Sequence, residues 1–233
     1  MTAKQVQIGD RPCRIYGADC AEYLLLQMTD EHELQRMDNE VAAIAQGAAH
    51  PFLFAAIPVE SWNDALSPWE APAVWGKQGF GGNAEDTLRF LTEQVVPTLK
   101  RQFYLPENIK IILGGYSLAG LFALWASTQT DLFYGVAAAS PSVWFPDWME
   151  FEQQRPIQTQ HIYLSLAKPQ APDLVSLLNA YYTQRRAGAY SQKGKISNLK
   201  EMNETFNYLR ANGIYSLEIW KAVSANTVLP QRA

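Results

Sequence analysis

Apolar runs of strand length alternate with segments of helical period along most of this 233-residue chain. The runs lie at residues 21–28, 51–59, 108–115, 133–140, 161–167 and 214–220. Segments that we interpret as helices lie between these runs, and in the first two of them apolar residues recur every three or four positions, which is typical of helices that bury one face. These segments lie at residues 30–47, 83–99, 118–128 and 198–213. Buried strands separated by helices indicate a predominantly parallel sheet with helices on both faces, a three-layer α/β fold. We expect one domain over residues 1–233.

Two of the helices begin at residues that favour a helix N-terminus. Asp30 is followed three positions later by Glu33, the spacing of a capping box. Asn83 precedes a first turn with two acidic residues, which the helix dipole favours. Pro97 lies inside the second of these helices and predicts a kink there.

Composition and charge exclude several classes of function. The net charge of −4 gives no basic face for nucleic acid or for an anionic membrane. No apolar run approaches the roughly 18–20 residues of a membrane-spanning helix, and the N-terminal sequence shows no secretory signal. Cys13 and Cys20 are expected to be free thiols in a reducing compartment, which favours the cytoplasm. No histidine, cysteine or carboxylate cluster has the spacing of a metal site, so we expect neither metal nor cofactor.

The sharpest chemical signal is GGYSLAG at residues 114–120, between a strand-like run and an apolar helix. Ligands of parallel α/β sheets bind beyond the carboxyl ends of the strands, where Ser117 is predicted to lie. Gly115 and Ala119 leave room for a tight strand-to-helix turn, so the pattern is a nucleophile elbow with alanine at its second glycine position. An ordinary glycine-rich turn with a capping serine is the alternative. The position between a buried strand and an apolar helix favours the nucleophile.

Several stretches between residues 21 and 170 resemble one family in the same order. They are GGYSLAGLFALWA, ESWNDALSPWEAPAVW with GFGGNAEDTLRFLTEQVVPTLK, AAASPSVWFPDW, and HIYLSLA. They are similar to the esterase branch of the α/β hydrolases, which includes esterase-D-like and enterochelin-esterase-like proteins. The resemblance implies an α/β-hydrolase fold and hydrolysis of carboxylic esters through an acyl-enzyme.

The resemblance also implies roles for individual residues. Ser117 corresponds to the nucleophile, and the backbone N–H of Leu118 to one donor of the oxyanion hole. The second donor is expected in the loop after residues 51–59, near Ser61 or Trp62. Independently of the resemblance, the apolar character of ligand pockets favours three tryptophans as residues that line the substrate pocket: Trp69, Trp75 and Trp144. The alternative for the aromatic residues between 62 and 80 is that they pack their loop against the sheet edge.

The chain departs from the family pattern where the rest of the catalytic triad should stand. Ala225 occupies the place of the histidine and Gln170 that of the acid, although Asp173 lies nearby. The sequence diverges over residues 222–233 and ends where relatives continue into a last helix. The chain contains three histidines, which we interpret as surface or edge residues: His32, His50 and His161.

Three explanations for this departure stay open: a decayed triad, an altered C-terminus, or an unusual base such as Lys221 or a distant histidine. Gln170 lies before the divergence and favours the decayed triad. We therefore expect a serine esterase with weak or no activity, whose partner is a small-molecule ester. The alternative is a degenerate hydrolase scaffold that acts as a binding or interaction protein. A missing last helix would expose an apolar patch and favour a homodimer.

Overall fold

The computed structural model describes residues 2–17, 20–74, 77–155, 157–159 and 161–165. The strand predicted at 214–220 and the helix at 198–213 lie outside these ranges. The strands within them are β1 Lys4–Ile8, β2 Arg11–Gly17, β3 Tyr23–Thr29, β4 Phe52–Pro58, β5 Glu70–Ala71, β6 Phe80–Gly81, β7 Lys110–Tyr116, β8 Gly135–Ala139 and β9 His161–Ser165. The α-helices are α1 Glu31–Leu34, α2 Met37–Gly47, α3 Trp62–Ala65, α4 Ala84–Phe90, α5 Val96–Gln102, α6 Leu118–Gln129 and α7 Trp148–Gln154.

Seven of these strands form one sheet in the order β1-β2-β4-β3-β7-β8-β9. The five strands from β4 to β9 run parallel, so the predicted parallel sheet is confirmed. The antiparallel pair β1 and β2 at one edge was not predicted. Its first strand is mostly exposed and rich in glutamine and lysine, so it lacks the apolar run that marks the central strands.

Helices cover both faces of the sheet, which confirms the three-layer prediction. Alternate residues of a strand point to opposite faces. On β3, Leu24 and Leu26 join the apolar cluster that contains α4, α5 and α6. Leu25 joins the opposite cluster, which contains the buried face of α2. The sheet is therefore the middle layer.

The predicted helix starts are partly confirmed. The Asp30 carboxylate accepts the Glu33 backbone N–H at 2.7 Å, as in a capping box, but the helix breaks before α2 begins. Asn83 precedes α4 without a side-chain capping bond. In place of a simple kink at Pro97, residues Leu91–Val95 form a π-helical turn between α4 and α5. Proline has no N–H to donate and crowds the preceding turn, and a wider turn relieves that crowding.

Cys13 and Cys20 are both free thiols, as expected. Cys13 is buried in β2, and burial raises the pKa of its thiol to about 11. Cys20 is exposed. In the part of the chain that the structure describes, no helix is both long enough and apolar enough to cross a bilayer.

Candidate active site

Ser117 lies where the direction of chain crossover in the sheet changes. From β3 the chain crosses to β4 on one side, and from β7 it crosses to β8 on the other. Such a switch leaves a crevice outside the carboxyl ends of the two strands, and α/β proteins bind ligands there. Ser117 follows β7 directly and precedes α6, so it lies at this crevice.

The backbone of Ser117 has a conformation that side chains disfavour. Its φ is +56° and its ψ −118°, a region that glycine occupies far more easily than other residues. The Ser117 N–H donates to the Ala139 carbonyl at 3.0 Å. The Ser117 carbonyl accepts from Ser142 N–H at 3.0 Å and from Leu121 N–H at 3.1 Å. These bonds hold a strained residue in place, as is frequent at functional sites.

The small residues around Ser117 permit this turn. Gly115 lies directly against Ala119 in the first turn of α6. A Cβ on Gly120 would lie 3.1 Å from the Gly115 carbonyl and 3.2 Å from the Pro141 Cβ. The close approach of β7, α6 and the loop after β8 explains the small residues from which the elbow was predicted.

The Ser117 hydroxyl contacts a second serine. Its Oγ lies 3.2 Å from the Oγ of Ser142, which is buried in the loop after β8. Sequence reasoning did not identify Ser142 as a site residue. Ser142 follows a strand-like run, but its contact with Ser117 depends on β7 and β8 being neighbours in the sheet, which local sequence patterns do not indicate.

The oxyanion donors proposed from sequence lie at the same edge of the sheet. Leu118 is the first residue of α6, so its N–H lacks an intrahelical partner. Ser61 and Trp62 begin α3 after β4, but β3 lies between β4 and β7. The register that pairs Gln27 with Gly114 brings the exit of β3 alongside the elbow. A backbone N–H at the end of β3 is therefore an alternative to Ser61 and Trp62 as the second donor of the oxyanion hole.

The aromatic residues form a packed group beside the site. The Trp69 indole N–H donates to the Pro146 carbonyl at 3.1 Å, and its ring lies 5.5 Å from Phe145. Trp144 lies 6.1 Å from the ring of Phe80. Trp69 therefore ties the loop before α4 to the loop after β8. Trp75 lies outside the described residues, and the pocket role of the other two tryptophans stays a proposal.

Two of the described histidines lie at the amino ends of the parallel strands, and the third lies at the carboxyl ends. His50 pairs with Glu22 at 3.0 Å at the amino edge, where it lines a cavity of about 530 Å³. His161 begins β9 at the same edge, and its ring stacks on Tyr134 at 4.3 Å between centroids. His32 is exposed in α1, on the carboxyl side where Ser117 lies.

The helix that carries His32 leads away from Ser117. Its last residue, Leu34, accepts a hydrogen bond from Arg14 of β2 at 2.9 Å, and β2 lies on the side of β3 opposite to β7. Gln170 and Ala225, which hold the acid and histidine places, lie outside the described residues, as do Asp173 and Lys221.

A group of carboxylates lies near the exit of β3. Burial, with the charges of Asp30 and Glu40, raises the pKa of Glu33 to about 7. Burial also raises the pKa of Glu40, whose carboxylate accepts a hydrogen bond from Gln27 at 3.1 Å. Among the described residues, no group of three or more histidines, cysteines or carboxylates is arranged to hold a metal ion.

The sheet order and the strained serine elbow define an α/β hydrolase. The family model described as "Putative esterase" matches residues 24–208, and the chain belongs to that family. This confirms the family resemblance seen in the sequence. The search of curated proteins returned no match.

Solved structures share the fold at low sequence identity. An IroE-like serine hydrolase from Shewanella oneidensis is 14% identical with a TM-score of 0.72, over 96% of this chain and 79% of that one. The siderophore hydrolase EstA from Aspergillus nidulans is 14% identical with a TM-score of 0.63, over 97% and 92%. The enterobactin esterase FES from Shigella flexneri is 16% identical with a TM-score of 0.54, over 88% and 60%.

Proposed function

We propose that this protein hydrolyses carboxylic esters through an acyl-enzyme on Ser117. The observation that carries the proposal is the elbow, which holds a strained serine at the switch point of a parallel sheet. Strain of this kind persists only where the surrounding structure enforces it. Membership of the putative esterase family supports the same class of reaction.

The reaction has two steps. In the first, the Ser117 Oγ attacks the ester carbonyl carbon and loses its proton. The oxyanion is held by the Leu118 N–H and by a second N–H, from Ser61, Trp62 or the exit of β3. The alcohol then leaves with a proton, and the acyl group stays on Ser117. In the second step, water attacks the acyl carbon, releases the carboxylic acid and returns the proton to Ser117.

We further propose that turnover is weak or absent. A serine hydroxyl needs a base to take its proton, and histidine held by a carboxylate is the usual one. The sequence places alanine at 225 and glutamine at 170, where those groups are expected. Proteases that lose a triad member keep roughly 10³–10⁴-fold acceleration over water, from the oxyanion hole and substrate binding. We expect residual activity of that order at most.

The substrate is a small-molecule ester. Two of the similar structures are named a siderophore hydrolase and an enterobactin esterase, which supports testing siderophore esters beside simple ones. Trp144 and Trp69 are the described aromatic side chains proposed to contact the acyl or alcohol group.

Steady-state hydrolysis tests this proposal. The substrates are p-nitrophenyl acetate, p-nitrophenyl butyrate and a siderophore triester. We expect slow release that disappears in Ser117→Ala and persists in the matched control Ser127→Ala, which also removes one buried hydroxyl. Measurable hydrolysis at the same rate in the native protein and in Ser117→Ala would contradict the proposal. Native activity that falls strongly in His32→Ala would identify His32 as the base.

The second candidate function is a binding or interaction protein on this scaffold. The glutamine at 170 favours it, because this position precedes the segment where the sequence diverges. In that case the siderophore ester binds without turnover, and Ala225→His restores hydrolysis only if another carboxylate, such as Asp173, replaces the acid missing at Gln170. A homodimer is a separate proposal that does not depend on either function, and small-angle scattering that shows a monodisperse monomer would contradict it.

A further inference from the structure

Ser142 lies in the loop between β8 and α7, which meets the nucleophile elbow from the neighbouring strand. The residue is 1% exposed, so bulk water does not compete for its hydroxyl. The Ser142 Oγ lies 3.2 Å from the Ser117 Oγ, within hydrogen-bond distance. This contact joins a buried hydroxyl to the proposed reacting atom.

The backbone fixes both serines relative to each other. The Ser142 N–H donates to the Ser117 carbonyl, and the Ser117 N–H donates to the Ala139 carbonyl, both at 3.0 Å. The Ser142 carbonyl in turn accepts the Phe145 N–H at 2.9 Å. The backbones that carry the two hydroxyls are therefore held in place, which keeps the two side chains within reach of each other.

The protonation state of Ser117 determines which of the two hydroxyls donates the hydrogen bond. Either hydroxyl can donate while both are protonated. As the Ser117 Oγ loses its proton, it can only accept, so Ser142 must then donate. A hydrogen bond to an oxygen that gains negative charge is stronger than one between neutral hydroxyls. The bond is thus stronger when Ser117 is activated than when it is at rest, which is the condition for a rate effect.

We propose that Ser142 is a positioning residue that aims the Ser117 hydroxyl and stabilises it as its proton leaves. The inference rests on the proposed nucleophilic role of Ser117 and extends it to a residue in another loop. It also gives a reason for a hydroxyl at this buried position.

The test is the rate at which a fluorophosphonate labels Ser117, resolved into the limiting rate and the probe concentration at half that rate. Ser142→Ala is compared with native protein and with Ser127→Ala, whose hydroxyl donates to its own helix at the Leu124 carbonyl. We expect Ser142→Ala to lower the limiting rate about tenfold, the effect of one hydrogen bond of about 1.4 kcal/mol. The half-saturating concentration should stay within twofold. Ser142→Thr, which keeps the hydroxyl, should restore most of the rate.

The outcomes separate this inference from the proposal on which it rests. A native limiting rate in Ser142→Ala would overturn the positioning role and leave Ser117 as the nucleophile. A higher half-saturating concentration with an unchanged limiting rate would overturn it too, because a structural role disturbs the pocket as a whole. If native protein is not labelled, the nucleophile proposal fails and this inference fails with it. If Ser142→Ala does not fold, Ser142→Cys replaces it, since a thiol keeps the volume but donates weakly.

Discussion

A Cβ atom on Gly115 would lie 2.6 Å from the Cβ of Ala119 and 2.5 Å from its carbonyl carbon. The carboxyl end of strand β7 and the first turn of α6 therefore touch at Gly115, with no room there for a side chain. This contact sets the angle at which the chain reverses at Ser117. It makes the elbow a property of the packing between two elements as well as of the serine itself.

We predict that Gly115→Ala destabilises the protein by about 3 kcal/mol or more, because rigid backbone atoms would have to move apart. Gly120→Ala is the graded control, since its Cβ would be 3.1–3.2 Å from its nearest neighbours. It should cost about 1 kcal/mol. Urea unfolding of both variants measures the difference. Equal stabilities would show that the elbow relaxes easily.

Ser117→Gly should be more stable than Ser117→Ala and equally unreactive. A non-glycine residue at φ +56° and ψ −118° is strained. Relief of that strain should exceed the entropic cost of glycine and raise the free energy of unfolding by about 1 kcal/mol. Urea midpoints of the two variants check this. If the alanine variant is the more stable, the backbone at 117 is not strained in solution.

Trp69→Phe should weaken the link between the loop before α4 and the loop after β8. It removes the indole donor to the Pro146 carbonyl but keeps an aromatic ring beside Phe145. We expect a loss of about 1 kcal/mol in the free energy of unfolding.

Trp62→Phe is the matched control, because no hydrogen bond joins its side chain to another residue within the described ranges. A larger loss in the control than in Trp69→Phe would contradict the importance of the Pro146 bond.

Glu33 should make stability depend on pH in the direction opposite to most surface carboxylates. Its pKa is raised from 4.5 to about 7 by burial and by Asp30 and Glu40. The folded state then binds the proton more tightly than the unfolded state. The stabilisation is complete below about pH 4.5 and is lost as the pH rises through about 7.

The variant Glu33→Gln tests this sign. It should match native stability near pH 4.5 and exceed it at pH 8, when both are unfolded in urea at each pH. If native protein gains stability relative to the variant between these pH values, the raised pKa is wrong.

Much of the fold follows from the sequence because the central strands are buried on both faces and carry continuous apolar runs. The elbow was predictable for a related reason, since Gly115 and Ala119 are small where two elements touch. The β1–β2 pair escaped prediction because its exposed edge residues leave no such run. The π-helical turn before Pro97 depends on how one helix accommodates a missing N–H, which periodicity does not reveal.

Ser142 could not be predicted as a partner of Ser117, because their contact depends on β7 and β8 being neighbours in the sheet. The same strand order shows that the exit of β3 lies nearer to the elbow than Ser61 and Trp62. Local patterns indicate which residues end a strand. Only the strand order indicates which of those ends meet.

Treatment of the native protein with a fluorophosphonate, followed by mass spectrometry of its peptides, tests most directly whether Ser117 is a nucleophile. We expect slow labelling at Ser117 alone and none in Ser117→Ala. Absence of label at Ser117 in folded native protein would contradict it, and would show that the elbow serves a binding function.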